Sequence, residues 1–320
     1  PPPPSPAPPA PVVAPVARRP GQHAFAAMRL ATPHHFNRAV LLAPSSQLTP
    51  ATVDAALRRL VIHHDSLRLR WTRSDDGQSF AQEIAPLDDA CFEDLLQQYT
   101  LSDSGQSLSE VTAEVQGSLN IERGPLLRAA WIELPDGSAR LLIAIHHLAD
   151  DGSARLLIAI HHLAVDGVSW RILLEDLQLL CQGMLQTLDP PLPPKTSSFQ
   201  DWAVRLQTEA GRPTRQAELA HWLETLRVPG ALPLDHPQGE NRAADVERVS
   251  SSLSTEATGA LLHDVPAAYR TQVHETLLAA LAMPMAPWTG FRRWRIDLEG
   301  HGRADIDERY DLSRTVGWFT

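Results

Sequence analysis

The chain has 320 residues, 43% of them hydrophobic and 21% charged, which is ordinary for a folded protein with room for two cores. Its net charge of -10 argues against a nucleic-acid partner, because no basic stripe is available to neutralise phosphates. No apolar run approaches the roughly 20 residues that span a bilayer. The two cysteines, Cys91 and Cys181, lack metal-type spacing and fit a reducing compartment. The composition predicts a cytoplasmic protein that contacts no membrane.

Residues 1–21 are rich in proline and predict a linker. Such a composition cannot bury a core and favours extended polyproline or coil. A ligand for a proline-reading domain is the alternative interpretation.

Mixed α/β elements follow the linker. Residues 38–42 have the pattern of a strand, and Thr49 with Pro50 forms a helix start in front of an apolar face. Residues 66–71 alternate leucine with arginine, which is typical of a half-buried strand. A helix between two strands predicts a mixed α/β sheet architecture.

A fifteen-residue segment is duplicated. Residues 136–150 (DGSARLLIAIHHLAD) recur at 151–165 (DGSARLLIAIHHLAV), so the pattern HHxxxDG occurs twice. The sequence Pro-Asp-Gly at 135–137 predicts a hairpin turn where the first copy begins. A shift by an odd number of residues turns every strand side chain to the opposite face. We therefore expect one copy to keep the core strand and the other to bulge out or form an extra edge strand.

The second copy leads into an apolar helical pattern at residues 168–182, whereas the first copy does not. His146, His147 and Asp151 of the first HHxxxDG are therefore predicted to be non-catalytic. A proline-rich crossover at 189–198 predicts a boundary between lobes at 22–190 and 191–320. A last helix, starting near residue 271, is expected to stop near residue 283 because of Pro284 and Pro287.

Histidines occur in four pairs, at residues 34–35, 63–64, 146–147 and 161–162. Neighbouring side chains on a strand point to opposite faces, and no Cys, Glu or third His is placed to complete a tetrahedral site. No metal site is predicted.

The pair His161 and His162 ends an apolar strand pattern. Asp166 can lock the following loop by pairing with an arginine, and Gly167 can take a positive φ. His162 is then a free base, while His161 packs or hydrogen-bonds to backbone. The residues alone support a catalytic and a structural histidine equally.

Three strings in this order resemble the condensation and epimerization domains of nonribosomal peptide synthetases. They are HHLAVDGVSWRILLEDL at 161–177, EGHGR at 299–303 after an alternating strand pattern at 294–298, and RTVGWFT at 314–320. The Val-Ser-Trp sequence, EGHGR and RTVGWFT resemble the epimerization branch. The resemblance covers roughly residues 22–320 and implies two chloramphenicol acetyltransferase-like lobes that form a V, the second of them incomplete.

The resemblance implies that the α-proton of an aminoacyl or peptidyl thioester is removed and returned on the opposite face. The substrate would be carried on the phosphopantetheine of a carrier domain, with no cofactor bound directly by this chain. Neighbouring adenylation and condensation domains are the other expected partners. His162 and Glu299 would flank the reacting carbon, and the sequence leaves open which of them removes the proton.

Other residues of these strings have supporting roles. Gly300 and Gly302 would let the backbone approach the substrate, and His301 and Arg303 would bind substrate or, as we prefer, hold the turn. Backbone N–H groups near Gly167 or a protonated His162 would stabilise the oxyanion.

The family resemblance also implies an ion pair between Arg68 and Asp166. Two alternative functions remain: a condensation domain, in which His162 helps an amine attack a thioester, and an inactive scaffold that only docks carrier or adenylation domains.

Overall fold

The computed structural model describes residues 12–28, 30–73, 80–101, 105–134, 154–228, 232–239, 247, 249–303 and 306–320. Contacts divide the chain into two units, one formed by Pro1–Arg212 with Glu299–Thr320 and the other by Pro213–Leu298. The predicted lobes differ from these units, because residues 191–212 and 299–320 belong with the first unit. Residues 299–320 contact the helix that follows HHxxxDG at Ser169, and residues 191–212 contact residues 299–320, where the Ser197 N–H donates to the Asp311 carbonyl.

A four-stranded mixed sheet lies at the centre of the first unit. Its strand order is β2-β7-β6-β5, with β5 parallel to β6 and the other neighbours antiparallel. The bounds are β2 Asn37–Leu42, β5 Leu96–Thr100, β6 Leu127–Glu133 and β7 Ala154–His161.

Strand β7 comes from the second copy of the repeat, so the expectation that one copy keeps the core strand is confirmed for that copy. The first copy and the predicted hairpin turn before it lie outside the described residues.

A smaller sheet has the order β1-β4-β3, with β1 Ala14–Pro15, β3 Leu69–Arg73 and β4 Phe80–Ile84. Residues 12–21 therefore do not behave as a linker: β1 pairs with β4, and Val16 and Arg19 are buried. The predicted strand at 66–71 begins only at Leu69, after a 3₁₀ turn at Asp65–Arg68. Arg68 and Arg70 are buried because backbone carbonyls accept from their guanidinium groups.

The described part of the first unit contains five helices. Thr49 caps α2 as predicted, since its side chain accepts from the backbone N–H of Thr52. Helices α2 and α4 pack against each other through their apolar faces in one continuous core. The bounds are α1 Pro20–Ala27, α2 Pro50–His63, α3 Leu108–Gly117, α4 Gly167–Leu185 and α5 Phe199–Ala210.

The described part of the second unit is helical. Its helices are α6 Pro213–Gln216, α7 Leu219–Leu226, α8 Thr255–Gly259, α9 Val265–Tyr269 and α10 Val273–Thr289, with a π-helical turn at Ala260–Asp264. Residues 294–298 form no strand among the described residues, and Ile296 and Leu298 are exposed. The alternating pattern was misleading because a strand also needs a neighbour for its backbone hydrogen bonds.

Helix α10 continues past Pro284 and Pro287, so the predicted stop near Met283 is wrong. The two prolines lie on exposed turns, where water can satisfy the carbonyls that lose a backbone donor. The helix ends at Gly290, whose φ of 73° is left-handed and whose N–H donates to the Ala286 carbonyl.

Both cysteines are free and buried, and no helix in the described ranges is long and apolar enough to cross a membrane.

Candidate active site

Asp166 caps helix α4 and is almost fully buried. Its Oδ1 accepts hydrogen bonds from the backbone N–H and the hydroxyl of Ser169, both at 2.8 Å. Its Oδ2 accepts from the backbone N–H of Phe319 at 3.0 Å. One carboxylate therefore connects the loop after HHxx, the start of α4 and the RTVGWFT segment.

Arg303 supplies the positive charge that Asp166 needs. Its Nη1 lies 2.6 Å from Oδ2 and its Nη2 lies 3.2 Å from Oδ1, while the guanidinium also packs 3.9 Å from the centre of the Phe319 ring. Burial by itself would raise the pKa of the Asp166 carboxyl. The hydrogen bonds and positive charge of Arg303, together with the hydrogen bonds from Ser169, outweigh burial and lower that pKa. Arg303 holds this loop rather than presenting a free cation.

The predicted ion pair between Arg68 and Asp166 is wrong. Arg68 instead pairs with Asp65 at 2.8 Å, and its remaining N–H groups donate to backbone carbonyls that include Val61 at the end of α2. The last carbonyls of a helix have no intrahelical partner, and Arg68 satisfies one of them. Arg68 therefore caps the end of α2. The ion pair with Asp166, which the resemblance assigned to Arg68, is formed by Arg303 instead.

Ser169 is a site residue that the sequence pattern did not reveal. Its hydroxyl lies within hydrogen-bond distance of Asp166, of Arg303 Nη2 at 3.1 Å, and of the Gly317 carbonyl and N–H at 2.9 and 3.0 Å. Its position in the sequence could have indicated this role. Ser169 lies three residues after the N-cap Asp166, and a side chain at that position can hydrogen-bond to the capping residue.

His161 has a structural role. Its Nε2 donates to the Pro33 carbonyl at 2.9 Å, and its Nδ1 accepts from the Leu163 N–H at 3.2 Å. The residue has no exposed surface, and burial lowers its pKa to about 4. Both ring nitrogens are used, which agrees with the prediction that His161 bonds to backbone.

His162 has one ring nitrogen fixed by backbone. Its Nδ1 lies 2.8 Å from the Val165 carbonyl, and a carbonyl can only accept, so Nδ1 carries the hydrogen of a neutral ring. The lone pair is then on Nε2, which has no hydrogen-bond partner among the described residues. This tautomer is the one that a general base using Nε2 requires.

Two aromatic rings enclose His162. Phe36 stacks on the imidazole with centroids 5.3 Å apart and planes 13° apart, and the Trp318 ring lies 4.6 Å away. His162 is 7% exposed. The sequence did not indicate either ring, since Phe36 precedes β2 and Trp318 lies far along the chain in a separate segment. The rings fix the plane of the imidazole and limit its contact with water.

Glu299 lies four residues before Arg303 and is solvent exposed. In the described part of the chain no hydrogen bond or ion pair joins its side chain to His162 or to another residue. The structure thus ties the EGHGR segment to the His162 loop through Arg303 and Asp166, while leaving the Glu299 carboxylate free.

The glycines of these segments differ in their surroundings, and the approach of the substrate to Gly300 and Gly302 stays a prediction. Gly302 has a φ of 65°, and a Cβ there would overlap the Phe319 carbonyl, so the close approach is to RTVGWFT. A Cβ on Gly300 or Gly167 would meet nothing within 4 Å. Gly167 begins α4 without the predicted positive φ, because Asp166 alone caps the helix. His301 holds the turn, since its Nδ1 accepts from the Arg303 N–H at 3.0 Å.

The first copy of HHxxxDG, with His146, His147 and Asp151, lies outside the described residues. Its predicted lack of a catalytic role stays a prediction.

Known proteins are similar to this chain in sequence. The chain is 41% identical over 297 residues to chondramide synthase cmdD from Chondromyces crocatus, and 35% identical over 310 residues to tyrocidine synthase 2 from Brevibacillus parabrevis. The alignments cover 90% and 95% of this chain but only 7% and 8% of the two synthases.

Solved structures share the fold. The epimerization domain from the third module of tyrocidine synthetase B matches with a TM-score of 0.81 and 32% identity, over 97% of this chain and 67% of that one. The condensation domain of the monacolin K polyketide synthase MokA matches with a TM-score of 0.66 and 17% identity, over 96% and 66% of the two chains.

The mixed α/β fold class is thereby confirmed. The family model named Condensation domain matches residues 20–155 and 149–320, two matches that overlap within the repeated segment. Such an overlap is expected when both copies of a repeat fit the same part of a family pattern. The chain belongs to the condensation domain family, whose relatives with similar sequence include nonribosomal peptide synthetases.

Proposed function

We propose that the chain epimerizes an aminoacyl or peptidyl residue held as a thioester on a carrier domain. The observation that carries the proposal is the ion pair between Arg303 and Asp166. This ion pair holds the segment that contains Glu299 against the loop that contains His162. An imidazole and a carboxylate, both able to transfer protons, therefore belong to connected segments. The similarity to a solved epimerization domain, at 32% identity, supports this activity over others of the family.

His162 suits proton transfer at carbon. A neutral imidazole whose Nδ1–H is held by the Val165 carbonyl keeps the Nε2 lone pair available and limits rotation of the ring. Phe36 and Trp318 supply an apolar environment for the reacting carbon.

The reaction requires a second group on the other face of the substrate. One group takes the α-proton while the electrons of the C–H bond move into the thioester carbonyl to give an enolate. The conjugate acid of the other group then protonates the α-carbon from the opposite side, and the two groups exchange their proton states through water. Glu299 is the second group in this proposal, because its carboxylate is free and lies in the segment tied to Asp166. Either group can act as the base.

The substrate would arrive on the phosphopantetheine of a carrier domain, and the epimerization would use no cofactor bound directly by this chain. The chain spans only 7% and 8% of the length of two relatives. This supports the proposal that its partners are other domains of a large synthetase. Adenylation and condensation domains are the expected neighbours.

A chirality assay tests the proposal. The parent synthetase is incubated with a carrier domain loaded with an L-aminoacyl group, the thioester is hydrolysed, and the D fraction is measured over time. His162→Ala and Glu299→Gln should each slow the appearance of D-product by at least about 100-fold, as expected for loss of acid-base catalysis. The exposed residues His35 and Glu308 provide matched controls, and His35→Ala and Glu308→Gln should keep the wild-type rate. A catalytic variant that retains the wild-type rate would refute the assigned role.

A condensation activity is the second candidate, because the family model is that of the condensation domain. His162 would then assist an acceptor amine, and Glu299 would have no role. Peptide-bond formation between two loaded carriers, with unchanged stereochemistry and full activity in Glu299→Gln, would favour it. A scaffold that only docks other domains would bind the carrier and catalyse neither reaction.

A further inference from the structure

A second group of ionisable residues lies at the end of helix α2. His63 is the last residue of the helix and His64 follows as its C-cap, and their rings meet edge to face with centroids 4.8 Å apart. Paired histidines on a strand point to opposite faces. These two rings meet because the chain leaves the helix between the two residues.

Helix α4 contributes a carboxylate to the same place. His64 Nε2 lies 3.0 Å from Asp176 Oδ2, and the two side chains are only 5% and 2% exposed. Arg314 binds the other oxygen, Oδ1. One oxygen of Asp176 is therefore held by a cation, and the other faces the histidines.

We propose that His63, His64 and Asp176 form a binding site for a divalent transition metal of the zinc class. One ligand atom from each residue lies within 4.8 Å of the other two. Ligand atoms about 2.1 Å from a tetrahedral zinc are about 3.4 Å apart, so the buried His64 and Asp176 atoms are already close to ligand spacing. Only the ring of the half-buried His63 has to move inward.

The surroundings suit a metal with an open coordination position. A cavity of about 220 Å³ adjoins the histidines and is lined by residues that include Ser66, Lys195 and Thr315. It has room for water as a fourth ligand. The Ser66 hydroxyl is buried and finds no hydrogen-bond partner among the described residues, so a polar group is directed into this region without a protein partner.

The nearby cations do not exclude a metal, because carboxylates pair with both of them. Lys195 Nζ lies 2.9 Å from Asp65, and Arg314 binds Asp176 and Glu175. An arginine on the outer oxygen of a ligating carboxylate orients that ligand, as outer partners do in established metal sites.

Metal titration tests the site without any assay of epimerization. Zn²⁺ is titrated into the EDTA-treated full chain in competition with a chromophoric chelator, and Co²⁺ spectra report the coordination geometry. We expect one equivalent to bind, with a Co²⁺ spectrum of four-coordinate type. His63→Ala should weaken binding by more than about 100-fold, and Arg314→Gln by about 10-fold to 100-fold.

Asp176 is buried, so Asp176→Asn is a poor test variant because it can fail to fold, and two further variants keep the test decisive. His63→Cys should retain tight binding, because a thiolate also coordinates zinc. His35→Ala, at an exposed histidine, should bind like the wild type. The absence of saturable binding, equal affinity in His63→Ala, or thermal stabilisation by inorganic phosphate but not by Zn²⁺ would overturn the proposal.

Discussion

Arg303 and Asp166, 137 residues apart in the sequence, form a buried two-point ion pair at 2.6 and 3.2 Å. The Asp166 carboxylate also caps α4, and the residue directly before it, Val165, provides the carbonyl that orients His162. Arg303 therefore positions the candidate base through two intervening residues without contacting it.

Removal of Arg303 should be strongly destabilising. Arg303→Gln leaves Asp166 buried without its counter-ion, and breaking such a pair costs about 3–5 kcal/mol of unfolding free energy. Denaturant unfolding measures the loss. Arg309→Gln is the matched control, because its side chain is 77% exposed where it pairs with Asp307, and it should leave the unfolding free energy nearly unchanged. Equal effects of the two variants would contradict the role given to Arg303.

The two glycines of EGHGR should differ in their response to alanine. Gly302→Ala places a Cβ against the Phe319 carbonyl in a left-handed backbone conformation, and should lower stability by more than about 1 kcal/mol. Gly300→Ala meets open space and should be nearly neutral. The difference in thermal or denaturant midpoint between the two variants is the measurement. A neutral Gly302→Ala would show that RTVGWFT does not approach this turn.

Local patterns predicted the parts of the fold that depend on neighbouring residues. The cap at Thr49, the apolar faces of α2 and α4, and the strand at β2 follow from spacing along the chain. The hydrogen bonding of His161 to backbone also follows, because His161 ends an apolar strand and its side chain faces the protein interior.

Contacts between distant residues could not be predicted in this way. The sequence contains a guanidinium at both Arg68 and Arg303, and only the folded chain shows that Arg303 pairs with Asp166 while Arg68 is used at the end of α2. Phe36 and Trp318 come from separate segments and meet only at His162. Asp176 reaches His64 from another helix, which is why the pair at 63–64 carried no metal prediction.

Deletion of residues 136–150 should stabilise the fold. The deletion shortens the connection between β6 and β7 by fifteen residues and retains the Pro-Asp-Gly sequence and His162. The number of residues between the two strands falls to about a quarter, and the entropic cost of closing a connection of that length is lower by about 1 kcal/mol. Denaturant unfolding of the deletion variant checks this. A variant with a Gly/Ser segment of equal length in place of 136–150 is the control and should match the wild type. A loss of stability in both variants would mean that the first copy contributes packing.

The buried His161 should make stability depend on pH. Its pKa is about 4 in the folded chain against an ordinary value of 6.5, so between these values the unfolded chain binds a proton that the folded chain does not. The stabilisation is complete above 6.5 and is lost as the pH falls toward 4, by about 2 kcal/mol between about pH 7.5 and about pH 5. Burial also lowers the pKa of His63, to about 4, so that its titration destabilises the fold over the same pH range. The contribution of His161 is therefore isolated by comparison with His161→Gln. The unfolding free energy should fall less between these two pH values in His161→Gln than in the wild type. An equal fall in the two proteins would contradict the prediction.

Exchange of the substrate α-hydrogen tests the central claim most directly. The parent synthetase, with an L-aminoacyl group on its carrier domain, is incubated in D₂O, and mass spectrometry follows deuterium at the α-carbon. Epimerization through His162 and Glu299 predicts rapid incorporation in the wild type, and a fall of at least about 100-fold in whichever of His162→Ala and Glu299→Gln lacks the group that removes the α-proton of the L-substrate. Peptide-bond formation without incorporation, or incorporation that continues unchanged in both variants, would contradict the account.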